Sequence, residues 1–188
     1  VVELVNNRER EYIFADLPDI GYSTDIDTVM ASSYQVKKQL QQIVKIEQPI
    51  TNTLLYKRIL RIWNLTRVTT RLQVFIDSLL EDAYKDPLSG DTIIYWEDEE
   101  KAKDCDFYRI NSKRDILDIP ILEVMSAARY AIEQQISMPT EDLKRLTSQL
   151  LGFSRKGNNL DMVTEQTIQL LINKGIFSHA NGMVSMNN

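Results

Sequence analysis

The chain contains 188 residues, of which 43% are hydrophobic and 26% are charged, a composition typical of a soluble globular protein with one large or two small domains. Its net charge of −5 excludes a uniformly basic nucleic-acid binder. Its single cysteine and single histidine exclude a disulfide framework and a structural zinc site, which needs about four ligands. No apolar run approaches the ~18–20 residues of a membrane span, and the single cysteine fits a reducing cytosol, so we expect a cytoplasmic protein. We also expect no bound metal or cofactor. Because residue 1 is Val, we also expect the sequence to be part of a longer protein.

The first half of the chain is predicted to contain a lead-in segment followed by three helices. Residues 1–32 mix strand-like and loop-like stretches, whereas apolar residues at helical spacing predict helices at about 33–46, 52–63 and 69–83. Pro49 separates the first two helices, since the residue before a proline is forced out of the α region. A short turn separates the second and third helices, so this pair forms a predicted helix-turn-helix.

A β-hairpin is predicted after the third helix. Residues 91–96 and 106–110 are rich in β-branched and aromatic side chains, so we expect them to pair as its two strands. Three helices followed by a two-stranded ribbon is the element order of a winged helix, which we assign to residues 33–112. The loop between the predicted strands is acidic, whereas a wing that binds phosphate should be basic. We therefore expect the helices of this module, and not its wing, to contact nucleic acid.

The second half of the chain is predicted to repeat this plan. Helical spacing predicts helices at about 119–135, 141–151 and 160–173, and the Asn181-Gly182 pair is a strong hairpin signal. We assign residues 113–188 to a second winged-helix-like module. The predicted fold class is therefore mainly α with small β-hairpins, arranged as tandem winged-helix-like (helix-turn-helix) repeats.

An eight-residue pattern occurs in both predicted turns, 88 residues apart. Leu65–Leu72 and Phe153–Leu160 share an apolar residue, a hydroxyl residue, an arginine, four mostly polar residues and a leucine. In a helix-turn-helix the N-terminal residues of the second helix face base edges of the major groove, and backbone amides there can meet a phosphate. The residues that we expect to contact nucleic acid at the two turns are Arg67, Thr69, Thr70, Arg71, Arg155, Lys156, Asn158 and Asn159. The alternative is that Thr66 and Ser154 cap the third helices and that the arginines are merely solvated.

Positive charge is concentrated in the first helix-turn-helix. Residues 48–76 contain no Asp or Glu but carry five basic residues, namely Lys57, Arg58, Arg61, Arg67 and Arg71. We predict that Lys57, Arg58 and Arg61 extend the nucleic-acid-binding surface, which makes the first module the better candidate of the two. The alternative is that these long side chains only form the solvent-exposed faces of two helices.

No residue pattern in the chain indicates catalysis. The only histidine, His179, lies beside a predicted turn, and Cys105 lies among acidic residues that disfavour a reactive thiolate. No glycine-rich phosphate-binding loop is present in the sequence, and the acidic cluster at residues 97–106 lacks the spacing of a calcium loop. We therefore predict that the chain has no catalytic residues and is not an enzyme by itself.

Several segments of the chain resemble a known family. Ile43–Ile50, Leu54–Ile59 and Trp63–Arg67 match, in turn, its IV-x-x-E-x-PI segment, its LL-x-[RK]-R helix and its W-x-L-x-R turn, and Leu151–Arg155 is similar as well. The family is an uncharacterised C-terminal domain of very large bacterial proteins that carry a superfamily 1 helicase-type ATPase and a restriction-endonuclease-like domain. The resemblance covers about residues 36–175.

One departure from the family pattern lies in the first turn. The family often has a glycine shortly after the turn arginine, as at Gly157, whereas the first copy has Thr69. The resemblance implies a helicase- or nuclease-associated accessory domain and carries over no catalytic residue. We therefore expect a non-catalytic domain that binds nucleic acid, with DNA preferred, and the upstream helicase and nuclease domains of its own chain. The alternative is a protein–protein or intramolecular docking module that makes no nucleic-acid contact.

Overall fold

The computed structural model describes residues 6–187, which divide into two compact units. The first module is Ile13–Asp104, and the second module combines the described residues from Cys105 onwards with those up to Tyr12. Both are mainly helical and carry small sheets, as predicted for the fold class.

The first module contains a helical layer and one three-stranded antiparallel sheet. In chain order its elements are α1 (Ile26–Ala31), α2 (Ser33–Glu47), β2 (Ile50–Thr51), α3 (Asn52–Ile62), α4 (Thr70–Leu79), β3 (Tyr84–Lys85), β4 (Ile94–Trp96) and α5 (Glu99–Lys103). The label β1 belongs to Glu9–Glu11, which is part of the second module. The strand order is β2-β4-β3, so the last strand lies in the middle. Apolar residues at helical spacing, among them Leu40, Ile59 and Leu72, are fully buried between the helices and the sheet.

The second module is built on the same plan. After β1, its elements are β5 (Tyr108–Ile110), a 3₁₀ turn (Ile116–Asp118), α6 (Ile121–Glu133), β6 (Met138–Pro139), α7 (Thr140–Leu150), α8 (Asn158–Asn173), β7 (Phe177–Ala180) and β8 (Met183–Met186). Its antiparallel sheet has the order β6-β8-β7, and the last strand again lies in the middle. Strand β1 pairs in parallel with β5, so the described residues up to Tyr12 belong to the second module, whereas those from Ile13 to Ser32 belong to the first.

The two modules share three helices and the strand before the second of these helices. Helices α2, α3 and α4 begin 88 residues before α6, α7 and α8, and β2 begins 88 residues before β6. The repeat therefore extends over three helices and a strand, well beyond the octet that revealed it. The helix starts at Ser33, Asn52 and Thr70 also lie close to the predicted ones.

The predicted hairpin of the first module is wrong in its second strand. Residues 106–110 do not pair with β4, because β5 pairs with β1 in the second module. The partners of β4 are β2 and β3, and the tip of the hairpin is formed by residues 86–93. The acidic residues 97–104 follow the hairpin and include α5. Strands of two residues, such as β2 and β3, are too short to produce the alternating pattern by which strands are recognised in a sequence.

A buried ion cluster anchors the N-terminal segment to the second module. Glu123 on α6 is fully buried and accepts two hydrogen bonds from Arg114, at 2.8 and 2.9 Å, and further bonds from the backbone and side chain of Arg109. The guanidinium carbons of Arg114 and Arg109 lie 4.4 and 5.0 Å from the ring centroid of Tyr12, which follows β1. Burial alone would raise the pKa of Glu123, but the attraction of the two arginines outweighs it and lowers this pKa to about 2.

Replacing Glu123 with Gln should destabilise the second module by about 3–5 kcal/mol, because two buried guanidinium groups would lose their counter-charge. The measurement is urea unfolding followed by far-ultraviolet circular dichroism. A folded-state pKa below the ordinary 4.5 means that the stabilisation is complete above that value and is lost as the pH falls towards 2. The difference in stability between wild type and variant should therefore be constant above about pH 5 and shrink in more acidic solution. A difference that does not vary with pH would contradict this role of the charge.

Candidate nucleic-acid interface

The turn before the third helix has the same position in both modules. Helix α4 begins at Thr70 and α8 begins at Asn158, and each follows a turn that carries an exposed arginine, Arg67 or Arg155. The residue that caps α4 is Thr69, whose hydroxyl accepts a hydrogen bond from the Leu72 amide at 3.2 Å. The N-cap position of α8 is Gly157, which has no side chain to cap the helix.

The alternative in which Thr66 and Ser154 cap the third helices is therefore wrong. Both residues are exposed and lie three residues before the N-cap positions of α4 and α8. Thr69, which was predicted to contact nucleic acid, is the residue that caps α4. Its side chain satisfies an amide that the first turn of the helix leaves without a partner.

The four predicted contact residues of the second module remain accessible. Arg155, Lys156, Asn158 and Asn159 are all exposed, and none of their side chains forms an ion pair or hydrogen bond with the part of the chain that the structure describes. Arg155, Lys156 and Asn158 line the rim of a cavity of about 570 Å³ between α7 and α8. Two cations and two amides are therefore presented together at the N-terminus of α8, where the helix dipole favours an anion.

The same cavity contains a lysine that is neutralised by its neighbours. The Lys144 side chain is only 10% exposed, and its ammonium nitrogen lies 2.7 Å from a carboxylate oxygen of Asp161 and 3.2 Å from those of Glu141 and Glu165. Burial lowers the pKa of Lys144, but hydrogen bonds to these three carboxylates outweigh this effect and raise it. Lys144 therefore joins α7 to α8.

A hydrogen bond at the equivalent position joins α3 to α4 in the first module. Tyr56 and Asp77 lie 88 residues before Lys144 and Glu165, and the Tyr56 hydroxyl donates to Asp77 at 2.7 Å. Burial and the nearby Asp77 carboxylate raise the pKa of this hydroxyl. The same two positions therefore join the second helix to the third in both modules, through a tyrosine–carboxylate hydrogen bond in the first and a lysine–carboxylate ion pair in the second.

The basic residues of the first module do not form a continuous free surface. Arg58 is only 14% exposed and makes a bidentate ion pair with the fully buried Glu47, with a shortest distance of 2.8 Å. Arg61 donates to the Leu17 carbonyl at 2.7 Å and lies 3.8 Å from Asp16. The sequence stretch 48–76 lacks acids, but acids from elsewhere in the chain meet its arginines. Arg58 is consequently a structural residue.

The remaining predicted residues of the first module are exposed. Arg71 forms an ion pair with Asp27 at 2.7 Å, with 57% of the arginine side chain still accessible. Thr70 and Arg67 are exposed, and Arg67 forms no ion pair within residues 6–187. Lys57 is exposed on α3. The accessible cations at this turn are therefore Arg67 and Arg71, with Lys57 on the preceding helix.

Two exposed apolar residues on the third helices were not predicted as contact residues. Val74 on α4 and Met162 on α8 are 64% and 45% exposed. Each is the fifth residue of its helix, and the two are 88 residues apart. They lie outside the octet, and the helical spacing places neither on the buried stripe. An alignment of the two modules at this offset would have paired them.

The described residues contain no obvious site for a metal ion. No group of three or more His, Cys, Asp or Glu side chains that could hold a metal occurs within residues 6–187. His179 is exposed on β7 and Cys105 is half-buried. None of the helices that the structure describes is both long and apolar enough to cross a membrane.

Removing the Thr69 hydroxyl should lower the stability of the first module. Thr69→Ala leaves the Leu72 amide without its capping partner, and we expect a loss of about 1 kcal/mol. Trp63 and Trp96 both lie in this module, so urea unfolding followed by tryptophan fluorescence measures the change. Thr66→Ala is the matched control and should change the midpoint little. Equal effects of the two substitutions would refute the assignment of the cap.

Substitution of Arg58 should lower the stability of the first module far more than substitution of Arg67. Arg58→Ala leaves the buried Glu47 carboxylate without its main counter-charge, so we expect a loss of about 3–5 kcal/mol in the same fluorescence assay. Arg67→Ala removes an exposed cation and should change the stability by no more than about 0.5 kcal/mol. A stable Arg58→Ala variant would show that the ion pair is dispensable.

Part of the first module is similar to a family of proteins. A family model described as a protein of unknown function (DUF3320) matches residues 31–74, which hold α2, β2, α3, the first turn and half of α4. No curated protein and no solved structure matches the chain significantly. The segment that is similar to the family thus includes Arg67, Thr70 and Arg71, but it is a minor part of the chain.

Proposed function

We propose that the two modules are tandem winged helices that bind DNA through their third helices. The element order helix, strand, helix, helix, strand, strand, with the last strand in the middle of the sheet, supports the winged-helix assignment in both modules. In a helix-turn-helix the N-terminus of the second helix of the motif enters the major groove. Helices α4 and α8 are the second helices of the two proposed motifs.

The observation that carries the proposal is the accessible polar cluster at the N-terminus of α8. Arg155 and Lys156 are exposed cations that are not committed to carboxylates of the described chain. They suit phosphate oxygens, whereas Asn158 and Asn159 are amides that suit the donor and acceptor pattern of adenine. The second module is therefore the stronger candidate, although the acid-free sequence stretch favours the first.

The first module supplies a smaller contact surface. Arg67 is free of ion pairs within the described residues, and Arg71 is bound only by the exposed Asp27 carboxylate. Exposed ion pairs of this kind contribute about 0–1 kcal/mol, so a phosphate can replace the carboxylate at little cost. Thr70 lies between them at the first position of α4.

We further propose that the chain is a non-catalytic accessory part of a larger bacterial protein with helicase-type and nuclease-type domains, located in the cytoplasm. The resemblance of Ile43–Ile50 and Trp63–Arg67 to the C-terminal domain of such proteins supports this context. The similarity to a family of unknown function over residues 31–74 covers these segments. In this proposal the modules hold DNA for the catalytic domains of the same chain.

The second candidate function is docking to a protein. It is favoured by the three carboxylates that line the cavity of the second module, those of Glu141, Asp142 and Asp161, which would repel a nucleic acid that entered deeply. Lys144 and Arg145 bind these carboxylates and reduce the repulsion. DNA binding by the isolated chain separates the two candidates.

The test is fluorescence anisotropy with a labelled DNA duplex in about 50 to 200 mM salt. Arg155→Ala with Lys156→Ala should weaken binding roughly tenfold and reduce the salt slope by about two, one for each lost phosphate contact. Arg67→Ala with Arg71→Ala tests the first module in the same way. The matched control is Lys103→Ala with Lys174→Ala, which removes two exposed cations away from both turns and should leave the slope nearly unchanged.

Two outcomes would contradict the proposal. The first is no binding of the wild-type chain at the lowest salt concentration. The second is an equal loss of affinity in the control and in both turn variants, because this would attribute binding to general charge and not to the helix-turn-helix.

A further inference from the structure

The third helices share one exposed apolar residue at the same position. Val74 and Met162 are the fifth residues of α4 and α8, and their exposed fractions are 64% and 45%. A single exposed apolar residue on a protein surface needs no explanation. Its recurrence at equivalent positions of two diverged helices, one with Thr-Arg and the other with Asn-Asn at the start, is less easily attributed to chance.

The neighbours of these residues are polar and lie one turn earlier. Thr70 and Arg71 precede Val74 by four and three residues, and Asn158 and Asn159 precede Met162 in the same way. Residues at this spacing share one face of a helix, and side chains of a helix point towards its N-terminus. Each third helix therefore presents two polar side chains with an apolar group beside them. An apolar surface for a protein partner would extend further.

Thymine is the base that offers an apolar group in the major groove. Its 5-methyl group lies at the groove edge and packs against apolar side chains, whereas the other base edges there are donors or acceptors. A valine or methionine on a helix in the groove would be stabilised next to thymine and would gain nothing beside an unmethylated base. Thr70, Arg71, Asn158 and Asn159, one turn earlier, are side chains that suit the neighbouring base edges and phosphates.

We propose that Val74 and Met162 contact thymine 5-methyl groups and make each module prefer sites that contain thymine. This inference rests on the proposed DNA-binding function. It adds apolar contacts with thymine to the adenine contacts proposed for Asn158 and Asn159 and to the phosphate contacts proposed for Arg67 and Arg155.

The test compares two duplexes that differ only in methyl groups. One is an alternating A·T duplex, and the other has deoxyuridine in place of every thymidine, so that base pairing is unchanged. Anisotropy titrations should show that the wild-type chain binds the thymidine duplex about three- to fourfold more tightly for each contacted methyl group. Val74→Ala and Met162→Ala should each reduce this ratio, and the double variant should bring it close to one.

The matched control is Ile136→Ala, because Ile136 is 96% exposed in the second module but lies outside the third helix. This variant should keep the wild-type ratio. Thermal unfolding of all variants checks that the substitutions at exposed positions leave the fold intact.

The outcomes distinguish the inference from the function on which it rests. Equal, salt-dependent binding of both duplexes by the wild-type chain would overturn the inference and leave the proposed function standing. A preference for thymidine that survives in the double variant would overturn the assignment to Val74 and Met162. Failure to bind either duplex would overturn the proposed function and the inference together.

Discussion

In each module a backbone hydrogen bond joins the first residue of the second helix to the residue that directly precedes the central strand of the sheet. The backbone amide of Asn52, the first residue of α3, donates to the Ile93 carbonyl, and the amide of Thr140, the first residue of α7, donates to the Gly182 carbonyl. Since these bonds fix where the second helix begins, they also fix the turn and the third helix that follow it. The exposed residues at the two turns depend on this constraint for their position.

The helices could be predicted from the sequence because they are long enough to repeat an apolar spacing. The starts of α2, α3 and α4 lie within about one residue of the predicted ones. Strands β2 and β6 have two residues each and therefore show no alternating pattern, so neither strand was predicted from the sequence. The pairing of β5 with β1 joins residues about a hundred positions apart, which no local pattern can reveal.

The sequence predicted where the third helices begin, but it did not predict which carboxylates surround the basic residues near them. The recurring turn correctly indicated the start of each third helix, within three residues. The charge of residues 48–76 was misleading, since Glu47, Asp16 and Asp27 come from outside this stretch and reach Arg58, Arg61 and Arg71 only in the folded chain. Conversely, Arg155 and Lys156 have few basic neighbours in sequence, yet they remain accessible because no carboxylate of the described chain lies within ion-pair distance of them.

The division of the second module by the first has a consequence for synthesis of the protein. Strand β1 emerges from the ribosome before its partner β5, and almost a hundred residues of the first module lie between them. At roughly 5–20 residues per second, the backbone groups of β1 remain unpaired by β5 for roughly 5–20 s while the first module is completed. The polar strand Glu9–Glu11 suits this interval, because charged side chains on an unpaired strand oppose its association with other chains. The order of the chain thus completes the synthesis of the first module before β5 becomes available to pair with β1.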